Sequence, residues 1–282
     1  MSGTLKYWWF RLRSALRWYA GTRTRYDVHS PFLWEFLREV YLDNRYYHAF
    51  GRIRSVRTFW QRGPGGRCQV EIKELGAPSR TTFRSRRSAA ALVASNAIAE
   101  REGRLLFRLA LWLRADHILE LGTNAGISGL YLHLADTRAT LHTIEGNPAV
   151  AELARRSFRR AGVGQTLHAH VALFSDWLDE HLPELPTQDL VFIDGDHRYA
   201  ATLDYVRRLL PKLSARSVIV VADIHWSAGM ERAWAELRQL PEVTTTVDTY
   251  HFGFLFFRPE LPGQHLSLIR ARYKPWRMGF FG

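Results

Sequence analysis

The spacing of apolar and polar positions changes near residue 117. Beyond this point short apolar runs alternate with amphipathic segments, a pattern typical of repeated βα units around a parallel sheet. Strands are predicted at 117–121, 140–145, 167–171, 190–193 and 218–221. Two further runs, 243–247 and 252–257, predict an antiparallel hairpin at the sheet edge. The pattern therefore predicts an α/β, Rossmann-like, doubly wound and mostly parallel seven-stranded sheet with an antiparallel C-terminal hairpin.

The beginning of the chain predicts a basic amphipathic helix. One helical face carries Leu5, Trp8, Trp9, Leu12, Leu16 and Tyr19. Lys6, Arg13 and Arg17 lie on another face. Such a helix either packs on its own domain or lies in a membrane interface with its arginines on anionic lipid. We favour packing on the domain, and contact of residues 1–20 with a membrane surface is the alternative.

Further helices are predicted between this segment and the sheet. Ser30 can cap a helix that begins with Pro31 and runs to about residue 41. The segment 88–99 and the segment 105–113 read as two helices joined at Gly103. The first part of the chain is therefore expected to be mainly helical.

Charge divides the chain at about the same place. The sequence has 39 Lys+Arg against 27 Asp+Glu, a formal net charge of +12. Residues 1–104 hold 20 basic and 8 acidic residues, whereas residues 105–282 hold 19 of each, so the whole excess lies in the first part. We predict a basic, aromatic-rich N-terminal extension over 1–104, acting as a lid on the substrate side, and a cofactor-binding domain over 105–282.

Composition excludes several classes of protein. The single cysteine, Cys68, has no partner for an internal disulfide, and no Cys/His run has zinc spacing. No window reaches the ~20 apolar residues of a membrane span. We expect a globular protein of a reducing, cytoplasmic compartment. The oligomeric state cannot be predicted from the sequence.

A glycine-rich turn follows the first predicted strand of the sheet. It reads Gly122-Thr123-Asn124-Ala125-Gly126-Ile127-Ser128. Glycines at this place let the backbone approach a ligand at the carboxyl ends of the strands. The next strand ends in Glu145, where a carboxylate can bind both hydroxyls of an adenosine ribose. The two features together predict a site for an adenosine cofactor.

Other nucleotide-binding classes fit less well. The glycines at 122, 126 and 129 have a looser spacing than the dinucleotide fingerprint, closer to that of short-chain dehydrogenases. Those enzymes need a Tyr four residues before a Lys, and none of the four lysines has one. A P-loop is absent from the sequence as well.

The motifs resemble those of class I S-adenosylmethionine-dependent methyltransferases, in the catechol and caffeoyl-CoA O-methyltransferase-like branch. Over about 104–258, the turn from Glu120 to Ser128 is similar to the first motif and Glu145 matches the ribose-binding acid. The runs 192–199 and 221–226 resemble the motifs that follow the fourth and fifth strands. The run 26–32, Tyr-Asp-Val-His-Ser-Pro-Phe, is similar to an uncharacterised bacterial subgroup.

The resemblance implies S-adenosylmethionine as cofactor and a set of residues that bind it. These residues are Glu120, Gly122, Asn124, Gly126, Ser128, Glu145 and Asp194.

The metal-dependent members of this branch hold Mg²⁺ on two acidic positions and an Asn. Asp194 matches the first acid, but the second site reads Ala222-Asp223, so one ligand position has no oxygen. Mg²⁺ tolerates few protein ligands, so Asp194 and Asp223 with waters remain a candidate metal site. We do not favour metal dependence.

The resemblance also points to a catalytic base. His197 stands where catechol enzymes have a catalytic Lys, and histidine as a residue type can accept a proton near neutral pH. We predict His197 and Asp194 as catalytic residues. The alternative is that His197 caps the next helix or hydrogen-bonds Asp194 or Asp196. His225 is a second candidate base.

The predicted function is methyl transfer from S-adenosylmethionine to an oxygen of a small, anionic acceptor. The basic, aromatic first third keeps a second hypothesis open, an RNA or nucleic-acid-directed methyltransferase or binding protein, which we do not favour. Ala222 keeps a third open, a non-catalytic cofactor-binding relative. No residue pattern fixes the acceptor or the atom that is methylated.

Overall fold

A computed structural model of the chain describes residues 3–72, 86–261 and 263–277. The predicted domain ranges also include 1–2, 73–85, 262 and 278–282, which lie outside the described residues. The helices are α1 (Gly3–Gly21), α2 (Pro31–Phe36, continued by a π-helical turn Leu37–Tyr41), α3 (His48–Gln61), α4 (Ala89–Asn96), α5 (Glu100–Leu113), α6 (Ile127–His133), α7 (Pro148–Ala161), α8 (Phe174–His181), α9 (Tyr199–Leu209) and α10 (Ala228–Leu237). The strands are β1 (Gln69–Glu71), β2 (Arg86–Ser88), β3 (His117–Leu121), β4 (Thr140–Glu145), β5 (Leu167–Val171), β6 (Leu190–Ile193), β7 (Val218–Ala222), β8 (Thr245–Asp248), β9 (Phe252–Phe256) and β10 (Gln264–Ser267).

The first of two compact units is Asn44–Asp196. Its four long strands pair in parallel in the order β6-β3-β4-β5. Every residue of β6 is buried, as expected for a strand covered on both faces. The crossover helices α6 and α7 pack against β4. This unit is the parallel half of the predicted Rossmann-like fold.

Part of the predicted N-terminal extension belongs to this unit. Helix α3 packs against α4, α6 and α7. Its Trp60 is fully buried and donates from Nε1 to Ser157 Oγ at 2.8 Å. Phe50 packs edge-on against Phe107, with ring centroids 5.0 Å apart. Residues 104 and 105, the predicted domain boundary, both lie within α5, and the domain division stays a prediction.

Gly103 was expected to join two helices, and this expectation is wrong. Helix α5 begins at Glu100, so Gly103 lies in its first turn. A Cβ at Gly103 would stand 2.2 Å from Cε2 of Tyr131. The glycine therefore marks the close approach of the Tyr131 ring to α5 rather than a break in the helix.

The second unit combines residues up to Asp43 with those from His197 onward. Its strands follow the order β10-β8-β9-β7. Strands β8 and β9 form the predicted antiparallel pair, and β9 also pairs antiparallel with β7. The hairpin is not at the sheet edge, because β10 pairs in parallel outside β8. Apart from the short pair β1 and β2, the described residues thus contain eight strands, where the sequence predicted seven.

Helix α1 forms as predicted, but its apolar face points to the solvent. Leu5, Trp8, Trp9, Leu12 and Leu16 are all exposed. The opposite face of the helix packs on its own unit, where Ser14 is buried. Helix α1 therefore packs on its own unit, as expected, but it does so through polar and aromatic contacts of this opposite face, and the apolar stripe stays exposed.

The strand pairings are those of a mixed, mostly parallel sheet with an antiparallel C-terminal part, accompanied by an N-terminal helical region. The predicted Rossmann-like α/β fold is confirmed. Within the described residues, no helix is both long and apolar enough to cross a membrane.

Candidate active site

The turn between β3 and α6 needs its glycines for backbone geometry. Gly122 has φ 113° and Gly126 has φ 79°, values that side chains rarely allow. A Cβ at Gly122 would stand 2.2 Å from the backbone oxygen of Asp194. Asn124, between them, also adopts a left-handed conformation, with φ 48°. The tight turn brings several backbone groups to the carboxyl ends of β3 and β6.

Glu145 fixes this turn from the end of β4. Its Oε2 accepts the backbone N–H of Asn124 at 2.9 Å, and its Oε1 accepts that of Asn147 at 2.9 Å. Burial raises the pKa of the Glu145 carboxyl, although these backbone hydrogen bonds lower it. Each carboxylate oxygen keeps acceptor capacity for a further donor. The carboxylate therefore both holds the turn and can accept ligand hydroxyls.

Glu120 lies beneath the turn and is completely buried. Its Oε2 accepts a hydrogen bond from Thr143 Oγ1 at 2.5 Å. Burial raises the pKa of Glu120 to about 8, although hydrogen bonds from Ser128 and Thr143 act against the shift. Its Oε1 has no hydrogen-bond partner among the described residues. Ser128, itself buried, thus contacts Glu120 in this structure.

Asp194 completes the predicted cofactor set in this unit. It directly follows β6, and its N–H donates to Leu121 O at 2.8 Å. The seven residues predicted for the cofactor lie at the carboxyl ends of β3, β4 and β6, in the turn after β3 or, for Ser128, in the first turn of α6. The site fits an adenosine cofactor with a polar tail. It has two glycines with positive φ in the turn, an acid at the end of β4, and a buried oxygen of Glu120 without a hydrogen-bond partner among the described residues.

Two further residues of this region were not predicted from the sequence. Leu173 is exposed just after β5, and the neighbouring Ala172 N–H donates to Glu145 O at 3.2 Å. Asn96, at the end of α4, accepts from Asn124 Nδ2 through its backbone oxygen at 3.3 Å. The position of an apolar residue just past a predicted parallel strand is a signal that could have identified Leu173. Nothing in the sequence pattern pointed to Asn96.

The candidate base and one candidate metal ligand lie together in the other unit. His197 Nε2 is 3.8 Å from Asp223 Oδ2, and both side chains are partly exposed. Asp223 has φ 53°, so the backbone after β7 is held in a sparsely populated conformation. Ala222, the last residue of β7, is buried and offers no side-chain oxygen. Arg198 stands at the N-cap of α9, so the alternative in which His197 caps this helix is wrong.

His225 is held too firmly for the role of second candidate base. Its Nδ1 lies 3.0 Å from Glu231 Oε1 and its Nε2 lies 2.9 Å from Asp248 Oδ2. Burial lowers the pKa of His225, but the hydrogen bonds and charges of Asp248 and Glu231 outweigh it, so the pKa lies above its ordinary value. The imidazolium form, with both nitrogens donating to carboxylates, accepts no substrate proton.

Comparison with known proteins shows what this part of the chain is similar to. The family model described as "Methyltransferase domain" matches residues 119–224. A putative O-methyltransferase of Mycobacterium sp. (strain JLS) is 37% identical over 108 residues, which cover 37% of this chain and 47% of that protein. Catechol O-methyltransferase of Mycobacterium tuberculosis is 32% identical over 148 residues, which cover 48% of this chain and 63% of that protein. The chain thus spans about half to three fifths of the length of these curated relatives.

A solved structure agrees with the sequence relatives. The O-methyltransferase TomG from Streptomyces achromogenes, crystallised in complex with S-adenosylmethionine, has a TM-score of 0.51 and 25% sequence identity. The match covers 57% of this chain and 82% of TomG. The glycine turn thus lies within a region, residues 119–224, that is similar to methyltransferase domains. Over part of its length the chain is therefore similar to O-methyltransferases, a catechol O-methyltransferase among them, in line with the resemblance of its sequence motifs.

Proposed function

We propose that this protein is an S-adenosylmethionine-dependent methyltransferase that transfers a methyl group to an oxygen of a small acceptor. The observation that carries the proposal is the link between Glu145 and the backbone of Asn124. It pre-organises a carboxylate beside a glycine turn at the carboxyl ends of parallel strands, where open α/β sheets bind nucleotides. The names of the relatives support an O-directed reaction.

The cofactor's adenosine is proposed to lie between Glu145 and Leu173. Glu145 would accept the ribose hydroxyls, while the exposed Leu173 side chain offers an apolar surface to the adenine. The turn residues Gly122, Asn124 and Gly126 would present backbone groups to the methionine end. Glu120 and Ser128 support that turn from below, and Asp194 borders it.

On the acceptor side, we propose His197 as the general base. Methyl transfer is an in-line displacement at a sulfonium carbon, so the acceptor oxygen must lose its proton as the new bond forms. Asp223, 3.8 Å from His197 Nε2, stabilises the imidazolium that results. Asp194 is proposed as a second catalytic residue that positions the acceptor.

A divalent cation is the alternative way to activate the acceptor. Asp194 and Asp223 would be its protein ligands, and the bound cation would lower the pKa of a coordinated hydroxyl. Ala222 supplies no oxygen to this set, which favours the histidine base over the metal. The surplus of arginine in residues 1–104 suits an anionic acceptor, with this extension as the lid on the substrate side.

Turnover assays test the proposal directly. Formation of S-adenosylhomocysteine is followed with a panel of phenols and hydroxy acids, with and without a chelator. We expect His197→Ala to lower kcat by about 100-fold or more, the usual contribution of a general base, without weakening cofactor binding. The matched control is His48→Ala, an exposed histidine at the start of α3. Native turnover in His197→Ala would exclude His197 as the base, and loss of turnover on chelation would favour the metal.

A further inference from the structure

Helix α1 presents an apolar stripe to the solvent. Leu5, Trp8, Trp9, Leu12 and Leu16 are each between 52% and 63% exposed. They lie on one side of the helix and extend over about 17 Å, at 1.5 Å per residue. A stripe of this size is not the scattered exposure normal for apolar residues at a protein surface.

Contacts of the opposite face fix the helix in this orientation. Ser14 Oγ donates to Glu231, and Trp18 Nε1 donates to Asp248 Oδ1 at 2.8 Å. Arg11 lies over the ring of Trp226, 5.2 Å from its centroid. A rotation that buried the apolar stripe would break these contacts. The exposure of the stripe is therefore built into the packing of α1.

The end of α1 is anchored as well. Tyr19 donates to Tyr273 O at 2.7 Å, and Lys274 Nζ donates to Thr22 O at 3.0 Å. These bonds bring Trp276 beside Tyr19, with ring centroids 6.4 Å apart. Trp276 is itself exposed, so a further indole extends the stripe. We refer to Leu5, Trp8, Trp9, Leu12, Leu16 and Trp276 as the α1 surface.

The charged residues of the segment that contains α1 have one sign, although Arg17 lies 3.8 Å from Glu231 of its own unit. Residues 1–26 contain six Lys+Arg and no Asp or Glu. Arg13 and Arg17 are exposed on the side of the helix next to the stripe. Two copies meeting through this surface would place like charges together, which opposes self-association. An anionic surface, in contrast, would attract them.

We propose that the α1 surface docks on an anionic lipid membrane. Indole rings favour the boundary between headgroups and acyl chains, and arginines beside an apolar stripe bind anionic headgroups. Helix α1 would lie parallel to the bilayer, with its inner face still held by Glu231 and Asp248. The proposal does not depend on the proposed enzymatic activity, because it concerns only this surface.

Vesicle co-sedimentation of the full chain tests the proposal. We expect binding to vesicles of phosphatidylglycerol and phosphatidylcholine, and much weaker binding to phosphatidylcholine alone. Trp8→Ser with Trp9→Ser should weaken binding at least about tenfold, because two interfacial anchors are lost. The matched control, Trp34→Ser, changes an exposed Trp of α2 and should bind as the wild type does. Because all three indoles are exposed, the variants should unfold at the wild-type Tm.

A charge variant gives a second, independent readout. Arg13→Gln should weaken binding to anionic vesicles about fivefold, whereas Arg216→Gln, an exposed arginine before β7, should leave it unchanged. Equal binding to neutral and anionic vesicles, or binding unaffected by the Trp8 and Trp9 changes, would overturn the proposal. So would a wild-type dimer in lipid-free solution that the double variant converts to a monomer, since a second copy would then cover the surface.

Discussion

Glu120 is the residue at which burial and charge conflict most in the candidate cofactor site. Its carboxyl is fully buried, with its pKa raised to about 8, so the folded protein keeps it protonated at neutral pH. A protonated carboxyl can donate a hydrogen bond as well as accept one from Thr143. The acid of the first motif is therefore a neutral support beneath the turn.

This protonation predicts a pH dependence of stability. An unfolded Glu releases its proton near 4.5, whereas folded Glu120 keeps it up to about 8. The unfolded state binds fewer protons between these values, so the free energy of unfolding falls as pH rises from about 4.5 to 8. Glu120→Gln should remove this contribution, a difference in slope of up to about 1.4 kcal/mol per pH unit. Urea unfolding at several pH values measures both slopes, and identical slopes would contradict the assignment.

At the level of elements, β4, β5 and α8 bring four histidines together. His142 Nδ1 lies 3.0 Å from His170 Nε2, and the ring centroids of His142 and His168 are 4.9 Å apart. His181, on α8, packs 5.8 Å from His170. Burial first, and then the neighbouring imidazoles, lower the pKa of His142 and of His170 to about 4. The strand pair is thus built to hold neutral imidazoles.

The cluster predicts a loss of stability in acid. Because folded His142 and His170 bind protons only near pH 4 while unfolded histidines do so near 6.5, the unfolded state gains protons first as pH falls. The two histidines contribute fully to the free energy of unfolding above about pH 6.5, and this contribution is lost as the pH falls from there to about 4. On acidification, the Tm of the double variant His142→Gln, His170→Gln should fall less than the Tm of the wild type. The difference should be about 3 °C for each kcal/mol of destabilisation avoided. His48→Gln, the exposed control, should track the wild type, and a double variant that is equally acid-sensitive would refute the prediction.

The elements also show what a sequence can specify. Strands β3, β4, β5 and β6 have the predicted bounds, because short stretches of apolar residues, continuous in β6 and interrupted by polar residues in β4 and β5, lie between amphipathic helices. Strand β10 was missed because Gln264-His265-Leu266-Ser267 has no apolar run, and its pairing with β8 depends on the tertiary fold. For α1 the pattern predicted the helix, but amphipathicity alone does not say whether an apolar face meets protein or solvent.

At the scale of the whole molecule, the predicted cofactor residues and the proposed catalytic pair belong to different units. The seven predicted cofactor residues lie within Asn44–Asp196, while His197 and Asp223 belong to the other unit. The motifs predicted these cofactor residues because their order along the chain follows the order of the strands. The hydrogen bond between Glu145 and Asn124 could not be predicted from sequence, since it depends on the φ of 48° that Asn124 adopts in the turn.

The central claim is that S-adenosylmethionine binds at the turn after β3. Isothermal titration of the full chain with S-adenosylmethionine, S-adenosylhomocysteine and NAD tests it most directly. We predict one-to-one binding of the first two and none of NAD. Glu145→Ala should weaken both by about 10- to 100-fold through loss of the ribose hydrogen bonds, whereas Glu242→Gln, an exposed control, should not. Binding of NAD, no binding of either methionine compound, or unchanged affinity in Glu145→Ala would contradict the claim.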